Sequence, residues 1–311
     1  MRIIRGLKEA ERANLDRPVV TLGNFDGVHL GHQEIFRRAA ALARVQGGTS
    51  VAFTFEPHPL KVVAPQRSPK LLSTFHEKME RIREAGMDAV ICARFTPEFA
   101  ETTPEEFVRD ILSGLVHTTD LFIGHDYAFG KGRKGDIAFL TAAGERYGFR
   151  VHVVEPVTVE GILVSSTNIR RLVSEGDVKT AAKLLGRPYS IEGMVVHGHS
   201  RGHALGYPTA NIATPNELPP KEGVYAVRLT VAGKEYSGAA SIGMNPTFED
   251  AASSFEVHIF EFGGDLYGKH IKIKFVERLR DGVKFSSADE LSAQIKRDIE
   301  RAKEVLAAYG D

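Results

Sequence analysis

Up to about residue 186 the chain alternates short apolar runs with stretches in which apolar residues recur every three or four positions. PVVTL, TSVAFTF, DAVICARF, DLFIG and RVHVVEP have strand length and are rich in β-branched and aromatic residues. Helical periodicity occupies the segments near 32–46, 75–85, 104–113 and 136–147. The third opens in TTPEE, which places Thr103 as N-cap, Pro104 at the first helical position and Glu106 as the partner of a capping box. Strand, helix, strand order predicts an α/β unit: a mostly parallel sheet with helices on both faces. Ligands of such sheets bind beyond the carboxyl ends of the strands, where GNFDGVHLGH, EPHP and GHDYAFG fall.

After a short helix around DVKTAAKLL and a linker GRPYS, the pattern changes. IEGMVVHG, GVYAVRLTVA, KEYSGAASIG, FEVHIFEF and KHIKIKFVERL read as strands and predict a small antiparallel barrel. Alternation in FEVHIFEF turns Phe255, Val257, Ile259 and Phe260 or Phe262 inward, with Glu256, His258 and Glu261 on the other side. SADELSAQIKRDIERAKEVLAAYG closes the chain as a helix, opened by a capping box of Ser287 and Glu290 and stopped at Gly310. Ile295, Ile299, Ala302 and Leu306 mark its core face. Two domains are expected, 1–186 and 187–311, each long enough to bury its own core.

Forty basic and forty acidic residues cancel, so no whole-molecule field favours nucleic acid or an anionic membrane. Cys92 is the only cysteine and sits in the apolar AVICARF, the setting of a packed, inert thiol. No secretory signal and no uninterrupted apolar stretch of spanning length is visible, and a cytoplasmic location is expected.

GNFDGVHLGH admits three readings: a strand-to-helix turn, a metal-binding histidine pair or a phosphate cradle. Gly23 and Gly27 allow a tight turn, and Gly31 lets backbone approach a ligand. A helix starting here would aim its N-terminal N–H groups, His29 and His32 at one point, suited to charge developing on a phosphate. Against zinc, there is no HExxH and the one cysteine is distant. His58 in FTFEPHP caps a turn or touches a ligand; GHDYAFGKGRKGD, with Asp126, is a surface loop or part of a site. VSSTNIRR brings Ser165, Ser166 and Thr167 together with Arg170 at a helix start, a chemically sensible phosphate clamp or simply an N-cap with a solvated arginine.

Taken together, these stretches resemble the HIGH-type nucleotidyltransferases, and in particular the FMN adenylyltransferase module of the bacterial bifunctional riboflavin kinases and FAD synthetases. The resemblance implies a Rossmann-like nucleotidyltransferase domain that joins FMN and ATP into FAD with release of pyrophosphate. It implies that His29 and His32 stabilise the reacting phosphates, and that Ser165, Ser166, Thr167 and Arg170 hold the triphosphate. Gly23, Asn24, Phe25, Gly31, His58 and Asp126 would lie around the nucleotide or flavin.

In the second half HGHSRGHALGYPTAN, GVYAV, SIGMNPTF, FEVHIFEF and DLYGKHIKIKF resemble the riboflavin kinase module in the same order, so the likeness runs from about Arg17 to Leu306. It implies that Thr209 and Asn211 bind Mg²⁺ and nucleotide phosphate, that Gly202 lies in the nucleotide loop, and that Glu256 is the catalytic base. Riboflavin, FMN, FAD and ATP are then the ligands, with no nucleic acid or membrane partner. One departure is His203, after Gly202, where the family usually has arginine; Arg201 is a substitute on hand. Tyr207 for the usual phenylalanine is mild.

Overall fold

The computed structural model describes residues 1–197, 207–244 and 253–309, in two compact units, Met1–Val164 and Ser165–Asp311. In chain order the first contains β1 (Arg2–Arg5), α1 (Leu7–Glu11), β2 (Val19–Leu22), α2 (Leu30–Gln46), β3 (Ser50–Glu56), α3 (Pro59–Val63) and α4 (Phe75–Glu84). It continues with β4 (Ala89–Arg94), α5 (Pro97–Ala100), α6 (Pro104–Glu106), β5 (Asp120–Gly124), α7 (Ile137–Tyr147), β6 (Arg150–Val154) and the short pair β7 (Thr158–Val159) and β8 (Ile162–Leu163). A π-helical stretch, Phe107–Ser113, prolongs α6.

Six strands form one parallel sheet in the order β1-β4-β3-β2-β5-β6. The winding reverses between β2 and β5, so the loops leaving those two strands flank the switch point where such sheets take ligands. Alternation along the strands builds two cores. Val20, Leu22, Val51, Phe53 and Ile91 pack with Phe107, Val108, Leu112 and Leu140, whereas Ala52 and Val90 pack with Phe36, Ala40, Met79 and Ile82. Helices thus cover both faces, and the capping box of Thr103 and Glu106 is formed. β1 escaped the pattern reading because a four-residue edge strand is too short to show a period.

Cys92 on β4 is 8% exposed, and burial pushes its thiol above the ordinary cysteine range, as an inert packed thiol requires. At the amino end of β5, Asp120 is fully buried and accepts bonds from Arg150 (2.9 Å), His152 (2.7 Å) and Gln46 (3.0 Å). Burial pushes its carboxyl up, but those donors outweigh it and hold the group below the usual aspartate value.

The second unit contains α8 (Ser166–Glu175), α9 (Val178–Leu185), β9 (Tyr189–Val196), β10 (Ala210–Ala213), β11 (Gly223–Val231), β12 (Lys234–Met244), β13 (Ser253–Ile259), β14 (His270–Arg280) and α10 (Ala288–Ala308). Its strands close an antiparallel barrel in the order β10-β13-β12-β11-β14-β9. β10, only four residues long and read from sequence as the end of a loop, is the stave that closes it. By contacts the units part at Val164/Ser165, because α9 buries Val178, Ala181, Leu184 and Leu185 and packs on β14 and β9. The sequence pattern changes where strands begin, but the contacts change two helices earlier.

α10 lies on the outside of the barrel, with Ala302, Val305 and Leu306 against Ala226, Phe260 and Val276. Phe260, not Phe262, is therefore the buried ring. The same helix buries Asp298 against Arg280, with bonds of 2.7–3.0 Å. Its cap is one residue out of the expected register: Ser287 Oγ accepts from Glu290 N, but Glu290 reaches back to Ser286. Gly310 lies outside the described residues. Among the described residues, no helix is long and apolar enough to cross a membrane.

Candidate active sites

In the first unit the chain leaves buried β2 through Gly23 and Asn24 and makes a tight turn in which Phe25, Gly27 and Val28 have φ of 51°, 78° and 40°. Left-handed backbone at a phenylalanine and a valine is strained, so other contacts must hold this turn. Phe25 is 1% exposed and packs on Phe36; a Cβ on Gly23 would meet the Phe25 ring at 2.6 Å. Asp26, 5% exposed, accepts bonds from Leu72 N (3.0 Å) and Ser73 N (3.3 Å), and Gly27 N donates to Ser73 Oγ (3.2 Å). The aspartate thus ties the turn to the segment entering α4. Gln33 adds a bond to the Val28 carbonyl at 2.9 Å.

His29 ends the turn as N-cap of α2, its Nδ1 accepting from His32 N at 3.3 Å. An accepting Nδ1 carries no proton, so the proton of the neutral ring sits on Nε2, as a phosphate donor needs. The His29 and His32 rings stack at 3.6 Å and 18°, and Phe25 meets His32 edge-on at 5.3 Å. Gly31 makes that stack possible: a Cβ there would come within 3.2 Å of the His29 ring. The two imidazoles and the N-terminus of α2 form one cluster of N–H donors at the switch point. Among the described residues no group of three or more His, Cys, Asp and Glu is placed to hold a metal ion.

Lys78 on α4 was not anticipated. Only 8% exposed, it directs Nζ to the Asn24 carbonyl beyond β2 and the Phe55 carbonyl on β3, each at 3.4 Å. Burial pushes its ammonium below the ordinary lysine range, against the attraction of Glu56. The same α4 region therefore braces the loops following β2 and β3. His58, 9% exposed, caps α3 by accepting from Leu60 N at 3.2 Å. Asp126 is exposed in the turn after β5, with Oδ1 3.5 Å from where a Cβ of Gly124 would stand. Phe55, Phe95 and Phe99 form a triangle of rings 5.5–5.9 Å apart that β3, β4 and α5 bring together.

In the second unit Ser165 is the N-cap of α8, its Oγ accepting from Asn168 N at 3.2 Å. Ser166, Thr167 and Arg170 occupy the next turn. In the barrel, β10 and β13 pair Asn211 directly with Glu256, and β12 sets Ser241 on the other side of Glu256. Their neighbours Ala210, Val257 and Ala240 point into the core, so this polar row faces outward. Thr209 Oγ1 donates to Glu256 Oε2 at 3.0 Å. Thr209, Asn211 and Glu256 thus lie together on this face. Gly202, Arg201 and His203 lie outside the described residues.

Comparisons with known proteins match the chain to two families in succession. Residues 11–168 match the FAD synthetase family and residues 185–306 the riboflavin kinase family. The bifunctional riboflavin kinase/FMN adenylyltransferase of Escherichia coli (strain K12) is 37% identical over 305 residues, 98% of this chain and 97% of the relative. The chain belongs to this family of bifunctional enzymes. The family's protein from Listeria monocytogenes is 39% identical over 296 residues, covering 94% of each chain. A solved structure titled macrolide-efflux protein from Streptococcus pneumoniae is 34% identical, with a TM-score of 0.87 over 97% of this chain and 99% of that one. The parallel sheet, closed barrel and terminal helix are therefore shared with a solved structure over nearly the whole of both chains.

Proposed function

We propose that the barrel unit transfers the γ-phosphoryl group of ATP to riboflavin, giving FMN and ADP, and that the histidine site transfers AMP from ATP to FMN, giving FAD and pyrophosphate. The observation that carries this reading is the contrast between the two sites: a stacked imidazole pair at a helix start, and a carboxylate that accepts a hydroxyl on a barrel face.

Each arrangement suits its reaction. The phosphate of FMN is already ionised, so its oxygen attacks the α-phosphorus without surrendering a proton, and the bond to the β-phosphate oxygen breaks. What the site must supply is alignment and donors to the growing charge. His29, through Nε2–H, and His32 supply the donors. Gly23, Asn24, Phe25 and Gly31 shape the turn, while His58 and Asp126 border the nucleotide or flavin. Ser165, Ser166, Thr167 and Arg170 hold triphosphate oxygens, for which a helix start with hydroxyls and a guanidinium is apt. Functionally the adenylyltransferase part is taken to extend to residue 186, beyond the contact boundary.

Riboflavin offers a ribityl hydroxyl, a poor nucleophile until its proton is removed as the γ-phosphorus is attacked. Glu256 takes that proton, a role supported by the hydroxyl hydrogen bond it accepts from Thr209. Thr209 and Asn211 offer hydroxyl and amide oxygens beside Glu256, a hard donor set that fits Mg²⁺. Mg²⁺ bound there would neutralise nucleotide phosphate charge. Gly202 belongs to the same nucleotide loop in this reading, and the enzyme works in the cytoplasm.

The test is to incubate the purified chain with MgATP and either riboflavin or FMN and to resolve the flavins chromatographically. His29→Ala with His32→Ala abolishes FAD formation and leaves FMN formation. Glu256→Ala does the reverse when FMN is supplied. Accumulation of FMN without FAD by the parent chain, or loss of both activities from either variant while folded, overturns the division of labour.

A further inference from the structure

The kinase site contains a second grip on the segment that carries Thr209. β10 begins its pairing with β13 at Ala210 opposite Val257. The preceding Pro208 has no N–H, so the main-chain ladder cannot continue through it. At that point His258 Nδ1 lies 2.8 Å from the Pro208 carbonyl oxygen. A carbonyl only accepts, so Nδ1 bears the proton and donates it. His258 stands two residues from Glu256 on the same outward face of β13, its ring held edge-on to Tyr207 at 5.9 Å and tilted to Phe260 at 5.7 Å.

We propose that His258 is a positioning residue of the kinase: its Nδ1–H fixes the Pro208 carbonyl and thereby sets the Thr209 hydroxyl against Glu256. β13 then holds the 208–209 segment at two successive points, one by a side chain to main chain bond and one by Thr209 Oγ1 to Glu256. The imidazole gives the Pro208 carbonyl a donor where the strand pairing has ended, at the position next to a group taken to hold Mg²⁺ and phosphate. The inference rests on the reading of Thr209, Asn211 and Glu256 as the kinase site.

The side-chain amide N–H of asparagine falls near the position of a histidine Nδ1, and that of glutamine near Nε2, so the pair separates the two nitrogens. His258→Asn, His258→Gln and His258→Phe in the full chain are compared for FMN formation over a range of MgATP, with FAD formation from supplied FMN as a control. His258→Asn stays within about threefold of the parent, while His258→Gln and His258→Phe lose about tenfold or more in kcat/KM, chiefly through KM for MgATP, as loss of one orienting bond implies. FAD formation is unchanged in all three.

Rescue by glutamine rather than asparagine would assign the role to Nε2, and equal loss in asparagine and phenylalanine variants would assign it to ring packing; either overturns the proposal. So does retention of full kinase activity by the phenylalanine variant. Thr209→Ala and Glu256→Ala run alongside distinguish the cases: if they too remain active, the reading of the kinase site itself fails, and if they are inactive, only the role of His258 does.

Discussion

Asp26→Ala isolates what holds the histidine turn in shape. The carboxylate accepts from Leu72 N at 3.0 and 3.1 Å and from Ser73 N at 3.3 Å, in a position 5% exposed. Removing a charged acceptor from two largely buried main-chain donors costs about 1.5–3 kcal/mol for each bond, less where water enters the vacated space. Left-handed backbone at Phe25 and Val28 adds strain that favours release of the turn once the anchor is gone. Taking about 2–3 kcal/mol against the productive turn, at 1.36 kcal/mol per tenfold, FAD formation falls about 30- to 150-fold. The assay is FMN conversion to FAD under MgATP, followed chromatographically, with riboflavin phosphorylation by the same sample as control. Phosphorylation is unchanged, and Asp26→Asn, which keeps one oxygen acceptor and the shape, loses about tenfold or less. A folded Asp26→Ala protein that makes FAD within threefold of the parent refutes the argument, as does an equal loss of both activities.

Lys78→Met removes a largely buried ammonium; thermal unfolding at pH 7 shows stability equal to the parent or higher by about 2 kcal/mol, with FAD formation reduced. Because burial lowers the folded-state pKa of Lys78, its penalty is full below that value and vanishes above the ordinary lysine value of 10.5, so the advantage of the variant shrinks as pH rises through that window. Asp120, by contrast, has a lowered carboxyl pKa and contributes stability present above the unfolded value and lost as pH falls through the folded one. Acid unfolding of Asp120→Asn followed by circular dichroism is accordingly less steep below about pH 4 than that of the parent. Asp298→Ala strands the partly buried Arg280 and destabilises the barrel unit by about 2–3 kcal/mol in calorimetry, leaving FAD formation from FMN at ordinary temperature intact.

Local pattern in the sequence was enough for the elements whose signal is local. The apolar runs VVTL and SVAFTF, the capping box of Thr103 and Glu106, and the alternation that turns Val257 inward and Glu256 outward are read from neighbours along the chain, and all are present. The candidate site residues were named through the resemblance to a known family, because the residues alone left a plain turn, a surface loop or an N-cap with a solvated arginine open.

Only the tertiary structure decided what each of those residues leans on. The bond from Asp26 to Leu72 spans 46 residues and that from His258 to Pro208 spans 50, separations over which no periodicity carries information. Nothing in the local pattern separates Lys78 from the other charges of its helix; only the ends of β2 and β3, packed against it, bury it. β1 and β10 are too short to show a period, yet one extends the sheet and the other closes the barrel, because strand pairing rewards a partner at the right register however distant in sequence. Gly31, read as room for a ligand, also leaves room for the ring of His29. GNFDGVHLGH supplies the histidines, the glycines and the aspartate of the turn; its geometry is held from Leu72, Ser73 and Lys78, which fold against it.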